Sequence, residues 1–153
     1  MCLIKFNHLV IAHKNKTMIE QALQIEITDW GIIFNPVPGF ELNDKNIFSV
    51  IDFTLDKCQA RDKSRLLFDE TNVKRNVSFF KGIEVVEHFR SNADNPGIYR
   101  IAFILQDTCD RTNLRFLENV GYNRGIRIEY FFDRHEAIEW LKCKDISFVD
   151  KAM

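Results

Sequence analysis

Residues 99–141 decide how this chain folds. Tyr99-Arg-Ile-Ala-Phe-Ile-Leu105 is followed by a polar stretch ending in Asn123-Arg-Gly125. Then come Ile126-Arg-Ile-Glu-Tyr-Phe-Phe132 and Asp133-Arg-His-Glu-Ala-Ile-Glu-Trp-Leu141. The two runs rich in β-branched and aromatic residues predict strands. Between them, Asp107 or Thr108 begins a helix in which Leu114, Leu117 and Val120 or Gly121 face inward. Gly125 ends it, because a glycine adopts the left-handed backbone of a helix stop at little cost. Asp133 starts the last helix. Glu136 lies at the capping-box spacing, and Ala137, Ile138 and Leu141 form its buried face.

The same grammar extends upstream. Ile25 and Ile27 alternate with Glu26 and Thr28, the two-residue period of a half-buried strand. Asp29-Trp-Gly31 reads as a turn, and the segment Gly31 to Pro36 as the returning strand of an antiparallel hairpin. Asn43 or Asp44 caps a helix with Ile47, Val50, Ile51, Thr54, Leu55 and Cys58 on one face. Leu66-Leu-Phe68 is continuously apolar, like a central strand covered on both sides. A second helix spans Val77 to Arg90, with Phe79, Ile83, Val86 and Phe89 or Arg90 inward, and a loop runs from Asn92 to Gly97. The order ββαβαβαβα predicts an α/β fold. It has a mixed, mainly parallel sheet of about five strands, an N-terminal antiparallel hairpin and about four helices.

Composition bounds the function. The chain has 153 residues, the length of one domain. Its net charge of −1 lacks the basic excess of a nucleic-acid binder. Fourteen Phe are enough to dominate a core. Cys2, Cys58, Cys109 and Cys143 form no C-x-x-C pair and read as free thiols in a reducing, cytoplasmic compartment. Asn15-Lys-Thr17 and Asn76-Val-Ser78 match the glycosylation pattern, which matters only in a secreted protein. Met1 to Val10 is too short to span a bilayer and lacks signal-peptide organisation. Residues 1–24 are an N-terminal extension, 25–143 the α/β domain and 144–153 a tail. Met18, after a polar run, raises the alternative of a start downstream of Met1, and a short strand or helix packed on the domain edge is the other reading of this segment.

From Arg65 onward the chain resembles the SpoIIAA-like group of STAS-type domains, most strongly over 99–141. Leu66-Leu-Phe-Asp69 looks like a family strand ending in Asp, and Arg100-Ile-Ala-Phe-Ile104 like its next strand. Phe116-Leu-Glu-Asn-Val120 with Asn123-Arg-Gly125 resembles the following helix-to-strand passage. Phe132-Asp133 with Glu136-Ala-Ile-Glu-Trp-Leu141 is similar to its closing helix. The resemblance implies the fold of bacterial anti-anti-sigma factors, related to that of lipid-carrying CRAL-TRIO domains. Regulatory members carry a phosphorylatable serine in an Asp-Ser-Ser-Gly-like turn. Here that region reads Asn72-Val-Lys-Arg-Asn-Val-Ser78-Phe-Phe-Lys-Gly82, so Ser78 is nearby without the turn's acidic neighbour or glycine.

In open α/β sheets ligands gather at the carboxyl ends of strands. That edge holds Asp69, Glu70, Thr71, Asn72, Gln106, Asp107 and Asp133. Together they offer a ligand or partner edge, and the acids among them a cation site. The simpler reading is that Asp107 and Asp133 cap helices and Asp69 orders a turn. A receiver-domain role for Asp69 lacks the acidic pair and the lysine such chemistry needs. Ser78-Phe-Phe-Lys81 matches S-x-x-K without companion motifs, so Ser78 reads as a helix cap. His8, His13, His88 and His135 form no metal-binding pair.

No catalytic constellation, cofactor motif or metal motif is complete. The leading expectation is a non-catalytic STAS-like domain that binds a protein partner or a small apolar ligand; Phe79, Phe80, Phe89 and Phe116 are the candidates for admitting such a ligand, and core packing is their simpler reading. The alternative is a small enzyme or cation-dependent binder using the acidic strand ends. A homodimer built through the sheet edge or the N-terminal extension is a third reading.

Overall fold

The computed structural model describes residues 16–92 and 100–143. The expectations on residues 1–15, on most of the Asn92–Gly97 loop and on the tail 144–153 lie outside the described residues. In chain order the elements begin with α1 (helical at 16–22), β1 (Leu23–Ile27), β2 (Ile32–Pro36) and β3 (Glu41–Asn43). They continue as α2 (Ile47–Arg61), β4 (Arg65–Asp69), β5 (Lys74–Asn76) and α3 (Phe79–Asn92). The chain closes with β6 (Arg100–Ile104), α4 (Arg111–Asn123), β7 (Arg127–Phe131) and α5 (Arg134–Lys142).

Five strands form one sheet in the order β1-β2-β4-β6-β7. Only β1–β2 is antiparallel; the other neighbours are parallel. The architecture is the mixed sheet expected from the sequence. Right-handed crossovers between sequential parallel strands put every connecting helix on one face. The main core agrees: Val50, Ile51 and Cys58 of α2 and Val85, Val86 and Phe89 of α3 pack on Ile32, Phe34, Leu66, Phe68, Ile101 and Phe103. The alternate residues Ile33, Leu67, Ala102 and Ile104 point to the opposite face, where Ala137 and Leu141 of α5 cover them. Two covered faces explain why these strands are continuously apolar.

An aromatic ladder crosses the sheet beneath α2 to α4. Phe34, Phe68, Phe103 and Tyr130 stand opposite one another in register. Their successive ring centroids are 5.2, 5.1 and 5.3 Å apart. Phe89 of α3 meets Phe68 edge-on at 6.4 Å.

Ile19 of α1 and Leu23 of β1 are buried in the main core, so residues 16–22 form a short helix packed on the domain. The structure departs from the sequence reading in three places. The α2 N-cap is Asn46, not Asn43 or Asp44. Asn43 Oδ1 instead closes a local turn by accepting from Lys45 N and Asn46 N. Asp107 and Thr108 precede α4 without capping it; Asp110 does so, accepting from Thr112 N at 2.9 Å. The α3 face turns toward Gly82 and Val85, leaving Phe79 and Ile83 half-buried.

The strands β3 and β5 were not anticipated. They form a separate two-stranded parallel sheet, and Leu42 anchors it in the core. This sheet ties the segment before α2 to the segment before α3, so it fixes Arg75 and Ser78 relative to Asp44. Gly31 has a plainer role in the opening hairpin: a Cβ there would lie 2.3 Å from the Arg65 carbonyl oxygen. No helix among the described residues is long and apolar enough to cross a membrane.

Candidate functional site

A cleft of about 310 Å³ opens at the carboxyl ends of β4 and β6, between the starts of α3 and α4. Its walls include Ser78 and Phe79 on the α3 side and Asp110 and Asn113 on the α4 side. Glu70 and Arg75 form its floor. Glu70 follows β4 on the helical face of the sheet and is only 4% exposed. Arg75, carried in by β5, donates to Glu70 Oε2. Burial pushes the Glu70 carboxyl above its ordinary value, and the Arg75 charge and hydrogen bond offset part of that rise. Burial opposes the Arg75 charge, while the Glu70 carboxylate favours it, and the net direction is upward. Glu70 and Arg75 also border an interior space of about 20 Å³ shared with Phe68, Phe103 and Tyr130. The pair therefore partitions the open cleft from the core.

The residues expected at this edge do not converge on one point. Consecutive side chains along an extended strand alternate faces, so Asp69 and Glu70 part company. Asp69 turns toward α5, where its Oδ2 accepts from Arg134 at 2.7 Å. Its Oδ1 accepts from the Thr71 hydroxyl at 2.6 Å and orders the turn. Gln106 donates to the Thr71 carbonyl at 2.6 Å, joining the ends of β4 and β6. Asn72 is exposed and its carbonyl accepts from Gly39 N at 3.3 Å. Asp107 is bound by Arg111 at 2.6 Å on the exposed surface. Asp133 caps α5 by accepting from Glu136 N at 2.9 Å. Among the described residues no group of three or more His, Cys, Asp or Glu is placed to hold a metal ion. Of the seven edge residues, Glu70 and Gln106 line the cleft.

If capping is the role of Asp133, then Asp133→Ala is expected to cost about 1 kcal/mol. Asp133→Ser would retain most of that stability, because serine can accept the same bond. Thermal unfolding of the two variants beside the natural protein checks this. Equal losses in both would contradict it.

Ser78 is the α3 cap. Its Oγ accepts from Lys81 N at 3.2 Å and donates to Asp44 Oδ2 at 2.8 Å. The Ser78 backbone N–H donates to Asp44 Oδ1 at 2.9 Å. These bonds, the backbone one foremost, hold the Asp44 carboxyl below its ordinary value. Asp44 thus lies against the α3 start, on the far side of Ser78 from the cleft.

Two features of the site escaped the sequence reading. Arg75 sits in Lys74-Arg-Asn76, a triplet that looks solvated, and the β3–β5 pairing carries it inward. Asp110 was passed over for Asp107. Three of the four phenylalanines singled out from the sequence form an aromatic surface. Phe80 is 77% exposed and Phe116 is 49% exposed. Phe79 bridges them, 6.0 Å from the Phe80 ring and 5.5 Å from the Phe116 ring. Phe89, the fourth, is instead wholly buried in the core.

No family model matches the chain, and no curated protein matches it significantly. Solved structures do. A protein of the DUF3478 family with a SpoIIAA-like fold, from Shewanella loihica, is 17% identical with a TM-score of 0.49, covering 78% of this chain and 92% of its own. The protein TM1081 is 20% identical with a TM-score of 0.47, covering 78% and 88%. The phosphorylated Bacillus cell-fate determinant SpoIIAA is 15% identical with a TM-score of 0.44, covering 79% and 100%. The chain is similar to all three in fold.

Proposed function

We propose that this protein is a non-catalytic, STAS-like regulatory domain that binds a protein partner through the start of α3 and α4. The observation carrying this reading is the surface formed by Phe79, Phe80 and Phe116. A phenylalanine left 77% exposed gains little from folding. In contact with two more rings, it forms the kind of apolar patch that marks interaction sites. The adjoining cleft gives a partner side chain somewhere to enter.

A protein partner suits the geometry better than an apolar small molecule. The space bordered by α2 and α3 is about 20 Å³, room for about one water molecule. The rings beneath those helices are stacked on each other and leave no lipid-sized gap there. The free thiols Cys58, Cys109 and Cys143 support a reducing, cytoplasmic setting. Burial holds the Cys58 thiol protonated, pushed up to about 12.

The test is a photo-crosslinking phenylalanine analogue placed at position 80 of the full chain in its native cells. A discrete protein adduct is expected from position 80 and not from exposed Asp56 on α2. Identical adducts from both positions, or none from position 80, would refute the reading.

A further inference from the structure

The charges around the aromatic surface narrow what can dock there. On α3, Lys81 is bound to Glu84 at 3.0 Å, and it also lies 4.2 Å over the Phe48 ring. Arg90 lies 3.7 Å from Glu87, which also binds Arg124 at the C-terminal end of α4. The cations on this face are thus engaged with carboxylates. Arg111 is turned away, bound to Asp107 and set 4.3 Å over the Phe132 ring. Arg115 lies about 100° round α4 from Phe116. That is the side opposite Asn113, which lines the cleft, and Arg124, which binds Glu87 of α3.

Two carboxylates flank the cleft: Asp110 lines it, and Asp44 lies behind Ser78 on the opposite wall. Asp110 caps α4 and has no cation bound to it among the described residues. Asp44 is held by Ser78 and feels Lys81 only at a distance. Ser78 and Asp110 lie on opposite walls, with Phe79 lining the cleft between them. An apolar centre with an acidic margin is complementary to an apolar stripe flanked by basic side chains.

We infer that the partner presents an amphipathic basic helix, with an apolar stripe that covers Phe80 and Phe116 and a Lys or Arg that enters the cleft mouth between Asp44 and Asp110. The inference rests on the partner-binding reading and adds the chemistry of the partner to it. A helix laid on an apolar surface supplies anchors at intervals of three and four residues, and here the anchors must alternate with cations.

Fluorescence anisotropy with two labelled synthetic helices tests this, one of leucine and lysine and one of leucine and glutamate in the same pattern. The lysine helix is expected to bind the full chain and the glutamate helix to bind at least about ten-fold more weakly. Phe80→Ala should weaken the lysine helix about ten-fold. Asp44→Asn with Asp110→Asn should narrow the difference between the two helices without unfolding the protein. Asparagine at position 110 keeps the α4 cap, and at position 44 its amide oxygen still accepts from Ser78 N; only the exposed Ser78 hydroxyl bond to Asp44 Oδ2 is given up, because an amide NH2 cannot accept it. Equal binding of the two helices, each lost on Phe80→Ala, would overturn the basic partner and leave the docking surface standing. Binding of neither helix overturns the inference, and the crosslink at position 80 then decides the broader reading separately. Concentration-dependent self-association abolished by Phe80→Asp would overturn it in favour of a second copy of this chain.

Discussion

Arg75→Leu is expected to cost about 3–5 kcal/mol of stability, because it strands the Glu70 carboxylate in the core. Arg75 supplies the counter-charge and a hydrogen bond to a carboxylate that is 4% exposed. Leucine supplies neither. Urea unfolding reads the loss as a lower midpoint at an unchanged slope. The double variant Glu70→Leu/Arg75→Leu is expected to recover most of it, since removing both buried charges removes both desolvation costs. A single variant as stable as the natural protein would mean that Glu70 reaches water through the cleft, and the partition between cleft and core would be lost with it.

The pH dependence of that variant follows from the same pair. Burial raises the Glu70 carboxyl, so the folded protein keeps this proton to a higher pH than the unfolded chain does. The contribution of Glu70 is therefore fully present below the unfolded-state value. It declines as pH rises from the ordinary carboxylate range to the raised folded value. Removing Arg75 removes the influence that offsets the rise, so the window extends further upward. The deficit of Arg75→Leu should grow from acid toward neutral pH. A deficit independent of pH would show that Glu70 does not change its charge in that range.

The buried pair also marks where sequence stops informing. The strands around Ile33, Leu67 and Ala102 were legible because an apolar run with no polar alternation has few homes other than a sheet covered twice. Gly125 and Asp133 were legible because helix stops and caps are local chemistry, decided within four residues. Gly125 does adopt a φ of +80° and Asp133 does accept from Glu136 N. The pairing of β3 with β5 was not legible. Each strand is three residues long and mostly polar, and the partners stand more than thirty positions apart. Without that pairing Arg75 looks solvated.

The acidic edge divides for a related reason. Asp69 and Glu70 are adjacent in sequence, yet register sends one to Arg134 beside α5 and the other to Arg75 beneath α3. The exposure of Phe80 was within reach. The helical face through Val86 and Phe89 leaves position 80 pointing outward, whereas Phe79 lies nearer the seam. What periodicity did not show was Phe116 approaching from another helix, and that contact turns one exposed ring into a surface.

Phe68→Ala should be among the most damaging of the apolar truncations. Phe68 is the central rung of the ladder, with Phe34 at 5.2 Å on one side, Phe103 at 5.1 Å on the other and Phe89 above it. Deleting the ring forfeits its burial and leaves a cavity among three rings anchored on neighbouring elements. The expected cost is about 3–5 kcal/mol. For a chain of this size that lowers Tm by roughly 6–20 °C. Phe80→Ala, by contrast, should leave Tm within about 2 °C, because an exposed ring away from the core carries little folding energy. The comparison is internal: the same substitution chemistry at two phenylalanines separates a residue that builds the scaffold from one proposed to meet a partner. Calorimetry of the two variants decides it. Comparable losses would place Phe80 in the packing of α3 and remove the physical ground for a docking surface. A small loss at Phe68 would mean that α2 and α3 settle into the space the ring leaves, making the interior beneath them deformable enough to admit the apolar ligand that the stacked ladder argues against.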